Sequence, residues 1–468
     1  MATLISGGTV VNADGVRTAD VVIEGERIAA VVDPSSEIAA AVRRGDHEIV
    51  DASGLLVVPG GVDPHVHLQL PMSPDATSSD TFETGTIAAA VGGTTTIIDF
   101  AGQQFGSTVP EAIEARLAEA EGQCAIDHGF HLAMGDVNDQ SLVDLRRAID
   151  EGITSLKLFM AYPGVWFSDD GQVLRAMQVA ADTGAMTMMH AENGIAIDVL
   201  RDQAAGRGDT GARWHGLTRP AALEAEATHR AARLAEVTGS PLYIVHLSSS
   251  EALDEVVRAR DTGANVFAET CPQYLYLTLE EHLDQPGLDG LRHICSPPLR
   301  PTGDGADLWR GLRTDDLSVV STDHCPFCDA EKLLGVDDFR DAPNGLGSIE
   351  HRMDLLHQGV VTSELTLPRW VELCSTTPAR LFGLSGRKGV IAPGADADVV
   401  LYDPAARHTL SAETHHMNLD HSVWEGVEVT GRTHTVFSRG SRIVVDGRFV
   451  GRVGHGAHLR RDLPEPLR

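Results

Sequence analysis

The stretch LVVPGGVDPHVHL, residues 56–68, decides how the fold is read. A short apolar run reads as a β-strand, a Pro-Gly-Gly turn signal follows it, and histidines stand at positions 65 and 67. On extended chain, residues two apart face the same side, so His65 and His67 aim both imidazoles at one cation or one cavity. Four more runs end in the same manner. SLKLFMAY (155–162) carries Lys157, MTMMHAE (186–192) carries His190, LYIVHLS (242–248) carries His246, and SVVSTDHC (318–325) carries Asp323. Ligands delivered from separate strand ends to one place are what a barrel enzyme needs to hold metal ions.

Three further runs read as strands: TTTIIDFA (94–101), DHGFHLAM (127–134) and NVFAETCP (265–272). Between the runs lie helical patterns such as TFETGTIAAAV, PEAIEARLAEAEG, SLVDLRRAIDEG, GQVLRAMQVAADTG, AALEAEATHRAARLAEVTG and EALDEVVRARDTG. Their apolar residues recur every three to four positions, and Gly152, Gly184, Gly239 and Gly263 sit where C-terminal caps fall. ADLWRGLR precedes the last strand and SIEHRMDLLHQ follows it. Strand and helix alternate without a hairpin signal, which predicts a parallel sheet closed as a (β/α)8 TIM barrel. An open doubly wound sheet is the alternative, but it would keep residues 65 and 323 apart.

The two ends differ. Residues 1–53 and 395–450 are rich in β-branched residues and turn dipeptides and read as short antiparallel strands. The expected organisation is a small β-domain from 1–53 and 385–450, a barrel over 54–384, and a tail over 451–468 that reads as an arm.

The formal charge of −30 disfavours nucleic acid and anionic membranes as partners, because both reward a basic face. Six scattered cysteines do not form a disulfide framework, and Cys325-x-x-Cys328 lacks the second pair a zinc site would need. The N-terminus lacks a charged n-region and a long apolar h-region, and no apolar run reaches the ~18 residues of a membrane span. The expectation is a cytoplasmic protein.

His190 and His246 close apolar strands, where a lone buried imidazole is costly, and with the H-x-H pair they complete a zinc-type ligand set. Asp323 reads as a ligand, a general base, or a cap for the next turn. Lys157 has three readings: a Schiff-base amine, a partner for a buried carboxylate, or an amine converted by carbon dioxide to an anionic carbamate bridging two cations.

Taken together, PGGVDPHVHLQLP, GTTTIIDF, SLKLFMAYPG, HAENG, YIVHLSS, ETCPQYL, STDHCPF and PNGLGSIEHRM resemble the dihydropyrimidinase/hydantoinase family of the amidohydrolase superfamily. The resemblance runs from the N-terminal β-segment to about residue 450. It implies two divalent metal ions, usually zinc, with His65, His67 and Asp323 on one and His190 and His246 on the other. Lys157, as N6-carboxylysine, would bridge both. It further implies that Tyr162 donates to the substrate carbonyl oxygen, and that Ser296 (in CSPPLR) and Asn344 (in PNGLG) bind the ring amides. The implied activity is hydrolytic opening of a dihydropyrimidine or 5-substituted hydantoin to an N-carbamoyl amino acid. A metal-bridging hydroxide would attack, with Asp323 as general base and then acid. A homotetramer is the implied assembly.

Substrate choice is carried by fewer residues. Related dihydroorotases and allantoinases carry an arginine two residues after the H-x-H. Gln69 stands there in this chain, which favours a neutral ring. Trp166 and Phe167, in PGVWFSDD, either pack on the ring substituent or hold their loop to the barrel. The competing functions are another cyclic amidohydrolase such as an allantoinase, a different amidohydrolase reaction, or a silent scaffold. The scaffold relatives have lost ligands, whereas all six are present here.

Overall fold

The computed structural model describes residues 2–45 and 47–465, so the last three residues of the expected tail lie outside it. Eight parallel strands follow one another around a single sheet. They are β1 (Gly61–Asp63), β2 (Thr94–Gln103), β3 (Asp127–Met134), β4 (Ser155–Phe159), β5 (Met186–His190), β6 (Leu242–Ile244), β7 (Val266–Thr270) and β8 (Val319–Val320). The helices predicted between them are present, among them Phe82–Val91, Val109–Ala120, Asp170–Thr183 and Ala221–Thr238.

The sheet closes on itself just beyond β1 and β8. Val66 bridges His324, and the His67 amide donates to the His324 carbonyl at 2.8 Å. The seam is stitched from outside by Arg352, whose side chain is wholly buried. Its Nη1 donates to Val62 O on β1 and to Val320 O on β8, both at 3.0 Å. A guanidinium suits this task because its planar fork presents several donors in fixed directions.

Alternation along the strands divides the core in two. Ile97, Leu132, Leu156, Met189, Ile244 and Ala268 face the helices, while Ile98, Phe100, Met186, Met188, Tyr243 and Phe267 fill the barrel interior. Each large apolar side chain so buried contributes about 1.5–3 kcal/mol. Lys157 stands in register with Ala133 and Met188, both interior residues, so it too points inward.

The first quoted stretch divides. Leu56–Pro59 leaves the barrel and joins a seven-stranded sheet, where it lies between Val399–Thr409 and Thr9–Asn12. A second sheet of four strands is built from the N-terminal segment alone. Not every pair in these sheets is antiparallel: Thr3–Ser6 runs parallel to Glu48–Asp51, and Thr9–Asn12 parallel to Leu56–Pro59. Parallel neighbours need a long crossover, which the first pair obtains through the intervening hairpin and the helix Glu37–Arg44.

Barrel and terminal sheets meet at a buried charge cluster. Lys388 Nζ donates to Asp127 Oδ2 and Asp398 Oδ2 at 2.7 Å each, with Asp396 Oδ2 at 3.1 Å. The tail docks under the barrel: the His128 amide donates to Ala457 O and the Leu459 amide to His128 O. Arg461 is buried there, donating to Phe130 O at 2.6 Å. No helix among the described residues is long and apolar enough to cross a membrane.

Candidate active site

Closure of the barrel brings the first and last strand ends together. His65 Nε2 and His67 Nε2 each lie 3.2 Å from Asp323 Oδ1. Among the described residues this trio is one of two groups whose ligand atoms lie within 4.8 Å of one another. The other, Asp329, Asp420 and His421, is partly exposed, and Arg292 already pairs with Asp329 at 2.6 Å.

His246 and Asp323 stand just past their strands in left-handed backbone, with φ of 39° and 49°, and Tyr162 follows β4 with φ of 60°. Such backbone costs a non-glycine residue about 1–3 kcal/mol and persists only where the surroundings hold it. Here it turns three strand ends sharply at the mouth of the barrel. The His246 ring lies 4.5 Å from His190 and 5.4 Å from His65, and the Tyr162 ring 5.1 Å from His190. Lys157 reaches the same point from β4, donating from Nζ to His65 Nε2 at 2.8 Å.

Two carboxylates absent from the sequence-based candidates orient these side chains. Glu269, wholly buried on β7, takes the His65 Nδ1–H at 2.5 Å, the Tyr243 hydroxyl at 2.7 Å and the His246 amide at 3.1 Å. The proton held on Nδ1 leaves the Nε2 lone pair of His65 facing Asp323. Glu192 pairs through Oε2 with His190 Nε2 at 2.8 Å, which leaves Nδ1 as the nitrogen available to a cation. An unmatched acid within each apolar strand end, FAETC and MMHAE, is the signal that could have marked both.

Burial shapes the protonation states. It pulls the His65 and His246 imidazoles well below their ordinary range, so both are neutral and able to ligate. It also pulls the Lys157 ammonium down and pushes the Glu269 carboxyl up. Burial alone would raise Asp323, but His65, His67 and Lys157 together hold it at about 2. Burial likewise opposes ionisation of Glu192, yet Arg219 and His190 keep it at about 2. Burial pushes the Tyr162 hydroxyl up, so it remains a proton donor.

The remaining candidates line the rim. Ser296 is nearly buried, its Oγ 3.4 Å from His215 Nε2. Asn344 is half-buried, on a loop held to the Ser296 segment by the Gly345 amide donating to Ile294 O at 3.0 Å. Gln69 turns away: its Oε1 caps the helix Phe82–Val91 by accepting from the Phe82 amide at 3.1 Å. Trp166 lies over Gly102 and Gly135, where an added Cβ would come within 3.0 Å of the indole, and 5.5 Å from the Phe159 ring. It therefore holds its loop to the barrel.

Comparison with known proteins gives one answer along the whole chain. The Amidohydrolase family model matches residues 56–443. A D-hydantoinase of Streptomyces coelicolor is 55% identical over 460 residues, 98% of each chain. A D-hydantoinase of Geobacillus stearothermophilus is 44% identical over 464 residues, covering 98% of this chain and 97% of its own. Among solved structures, dihydropyrimidinase from Brevibacillus agri superposes with a TM-score of 0.96 at 42% identity, covering 99% of this chain and all of its own (100%). The L-hydantoinase of Arthrobacter aurescens superposes at 0.88 with 28% identity, covering 98% of this chain and 99% of its own. A histidine and carboxylate cluster at the mouth of a closed barrel, in a chain matched end to end by such enzymes, means that this protein belongs to the amidohydrolase family, among its hydantoinases and dihydropyrimidinases.

Proposed function

We propose that this chain is a metal-dependent cyclic amidohydrolase that opens a neutral ring, a 5-substituted hydantoin or a dihydropyrimidine, to an N-carbamoyl amino acid. The observation that carries the reading is the convergence of His65 Nε2 and His67 Nε2, each 3.2 Å from Asp323 Oδ1, from opposite ends of the barrel sheet. His246 supports a second position, because its buried Nδ1 has no hydrogen-bond partner among the described residues.

In this reading His65, His67 and Asp323 hold one divalent ion, zinc by the donor set, and His190 with His246 hold another. Lys157 lies between the two groups, and burial favours its neutral amine. Addition of carbon dioxide to that amine forms an N–C bond, releases one proton and gives a carbamate able to bridge. Two divalent ions so held would supply Lewis acidity and lower the pKa of a shared water to around 7.

The chain's own residues do the rest. Tyr162 donates its retained proton to the substrate carbonyl oxygen as negative charge develops there. Asp323, ionised at neutral pH, accepts the proton of the attacking water and delivers it to the departing ring nitrogen, without which the amide would leave poorly. Ser296 and Asn344 hold the ring amides. Gln69 offers no charge to a substrate carboxylate and is occupied as a helix cap, which supports a neutral ring. The two D-hydantoinases at 55% and 44% identity favour the D-hydantoin as the first substrate to test. The same resemblance supports a homotetramer, and the absence of a disulfide among the described residues fits a reducing cytoplasm.

The test is ring opening of dihydrouracil and of both enantiomers of a 5-substituted hydantoin by metal-loaded protein. Preference for the D-hydantoin is expected. Faster opening of dihydrouracil would make pyrimidine breakdown the physiological role, and no opening of either ring would refute the substrate class.

A further inference from the structure

Lys332 is 1% exposed and ends the short helix Asp329–Lys332 that follows the Cys325-Pro-Phe-Cys328 turn. Its Nζ donates three hydrogen bonds, all to main-chain carbonyls: Ile294 O at 2.9 Å, Pro343 O at 3.0 Å and Gly345 O at 2.9 Å. No carboxylate is among these partners. The Phe327 ring lies 5.7 Å away. Burial pulls the ammonium down to about 8. An ammonium buried without a counter-ion is an expensive way to fill space that a methionine would fill at less cost. Its presence calls for a reason.

The carbonyls supply one. Pro343 and Gly345 flank Asn344, and Ile294 stands two residues before Ser296. Three carbonyl dipoles converging on one point repel one another, and an ammonium with three protons is the group that lets them meet. Gly345 adds a third constraint. Its φ is +155°, and an added Cβ would lie 2.1 Å from Cys325 O. The Asn344 loop is thus pressed against the segment that leaves Asp323.

We propose that Lys332 is the positioning residue for ring recognition, a main-chain clamp that sets the Ser296 and Asn344 segments at a fixed distance from each other and from Asp323. The proposal rests on the reading of Ser296 and Asn344 as ring-amide contacts. No residue of the candidate metal set is among the hydrogen-bond partners of Lys332, so its effect falls on substrate binding and leaves metal capture alone.

The test uses metal-loaded Lys332→Met and Lys332→Gln, with kcat, KM, metal content and melting temperature measured against a 5-substituted hydantoin that the parent opens. The Met variant should raise KM about tenfold or more, while kcat and metal content stay within about threefold. The Gln variant, which keeps two N–H donors, should fall between it and the parent; it carries the test alone if the Met variant does not fold. An unchanged KM in a folded, metal-replete variant would overturn the clamp. So would parallel loss of kcat and metal at constant KM, or failure of both variants to fold, since each marks a purely structural lysine. A parent enzyme that opens no cyclic amide would instead overturn the ring reading on which the clamp depends, and the clamp with it.

Discussion

Replacing Glu269 by glutamine should weaken metal binding without touching a ligand. The carboxylate serves two sides: Oε1 takes the His65 Nδ1–H and the His246 amide, and Oε2 takes the Tyr243 hydroxyl. A glutamine can satisfy one side with its carbonyl. If the amide NH2 faces Nδ1, two donors oppose each other, and the His65 proton is driven to Nε2, the atom that faces Asp323. If it faces Tyr243 instead, His65 keeps a partner but loses the negative one, and a charge-assisted bond of about 1.5–3 kcal/mol becomes a neutral bond of about 1. Loss of such an outer partner lowers metal affinity about 10–100-fold, which is about 1.4–2.7 kcal/mol. The assay is competition for zinc against a chromophoric chelator, with circular dichroism to confirm the fold. Activity should return substantially in excess zinc. Zinc affinity equal to that of the parent, in a folded variant, would refute the claim that Glu269 sets the His65 tautomer.

Three further outcomes are expected. Lys157→Ala should lose metal and nearly all activity and regain part of both with a short carboxylic acid; full metal and full rate would exclude a bridging carbamate. Tyr162→Phe should lower kcat about 10²–10³-fold with unchanged metal content, as measured by steady-state kinetics and metal analysis; loss of metal would assign Tyr162 another task. Lys388→Met should destabilise the chain by about 3–5 kcal/mol, because it leaves the buried Asp398 without a cation and leaves Asp127 and Asp396 with Arg439 and Arg27 beside them. Urea unfolding followed by tryptophan fluorescence would register it, and an unshifted midpoint would show that the cluster ties nothing together.

The barrel was legible because its strands and helices carry strong local periods and because six chemically distinctive residues sit at strand ends. What escaped was whatever depends on distant partners. Leu56–Pro59 reads as the start of the first barrel strand, since nothing local tells a strand that pairs with Val399–Thr409 from one that pairs within the barrel. Arg352 lies in a helical pattern and gives no hint that it spans the seam between β1 and β8. Glu269 and Glu192 were inside quoted motifs, yet a carboxylate that orients a ligand has no spacing rule of its own. Lys332 is one lysine in a polar turn until the fold gathers three carbonyls around it. Gln69 was legible as a missing charge, but its engagement as a cap needed the helix start to be placed.

The seam closed by Arg352 also bears on how the enzyme is born. His65 and His67 leave the ribosome early, whereas Asp323 and the arginine that locks the last strand to the first come far later in the chain. At about 5–20 residues per second the interval is tens of seconds. Through that time the first histidines lack their partner, and the early strands hold an open edge that pairs readily with any passing extended chain. In the proposed function, metal capture at the His65–His67–Asp323 position is therefore an event of maturation that follows synthesis. Cells short of chaperones during that interval should accumulate an aggregated chain, whereas a shortage of the metal would leave an intact, reloadable apoprotein.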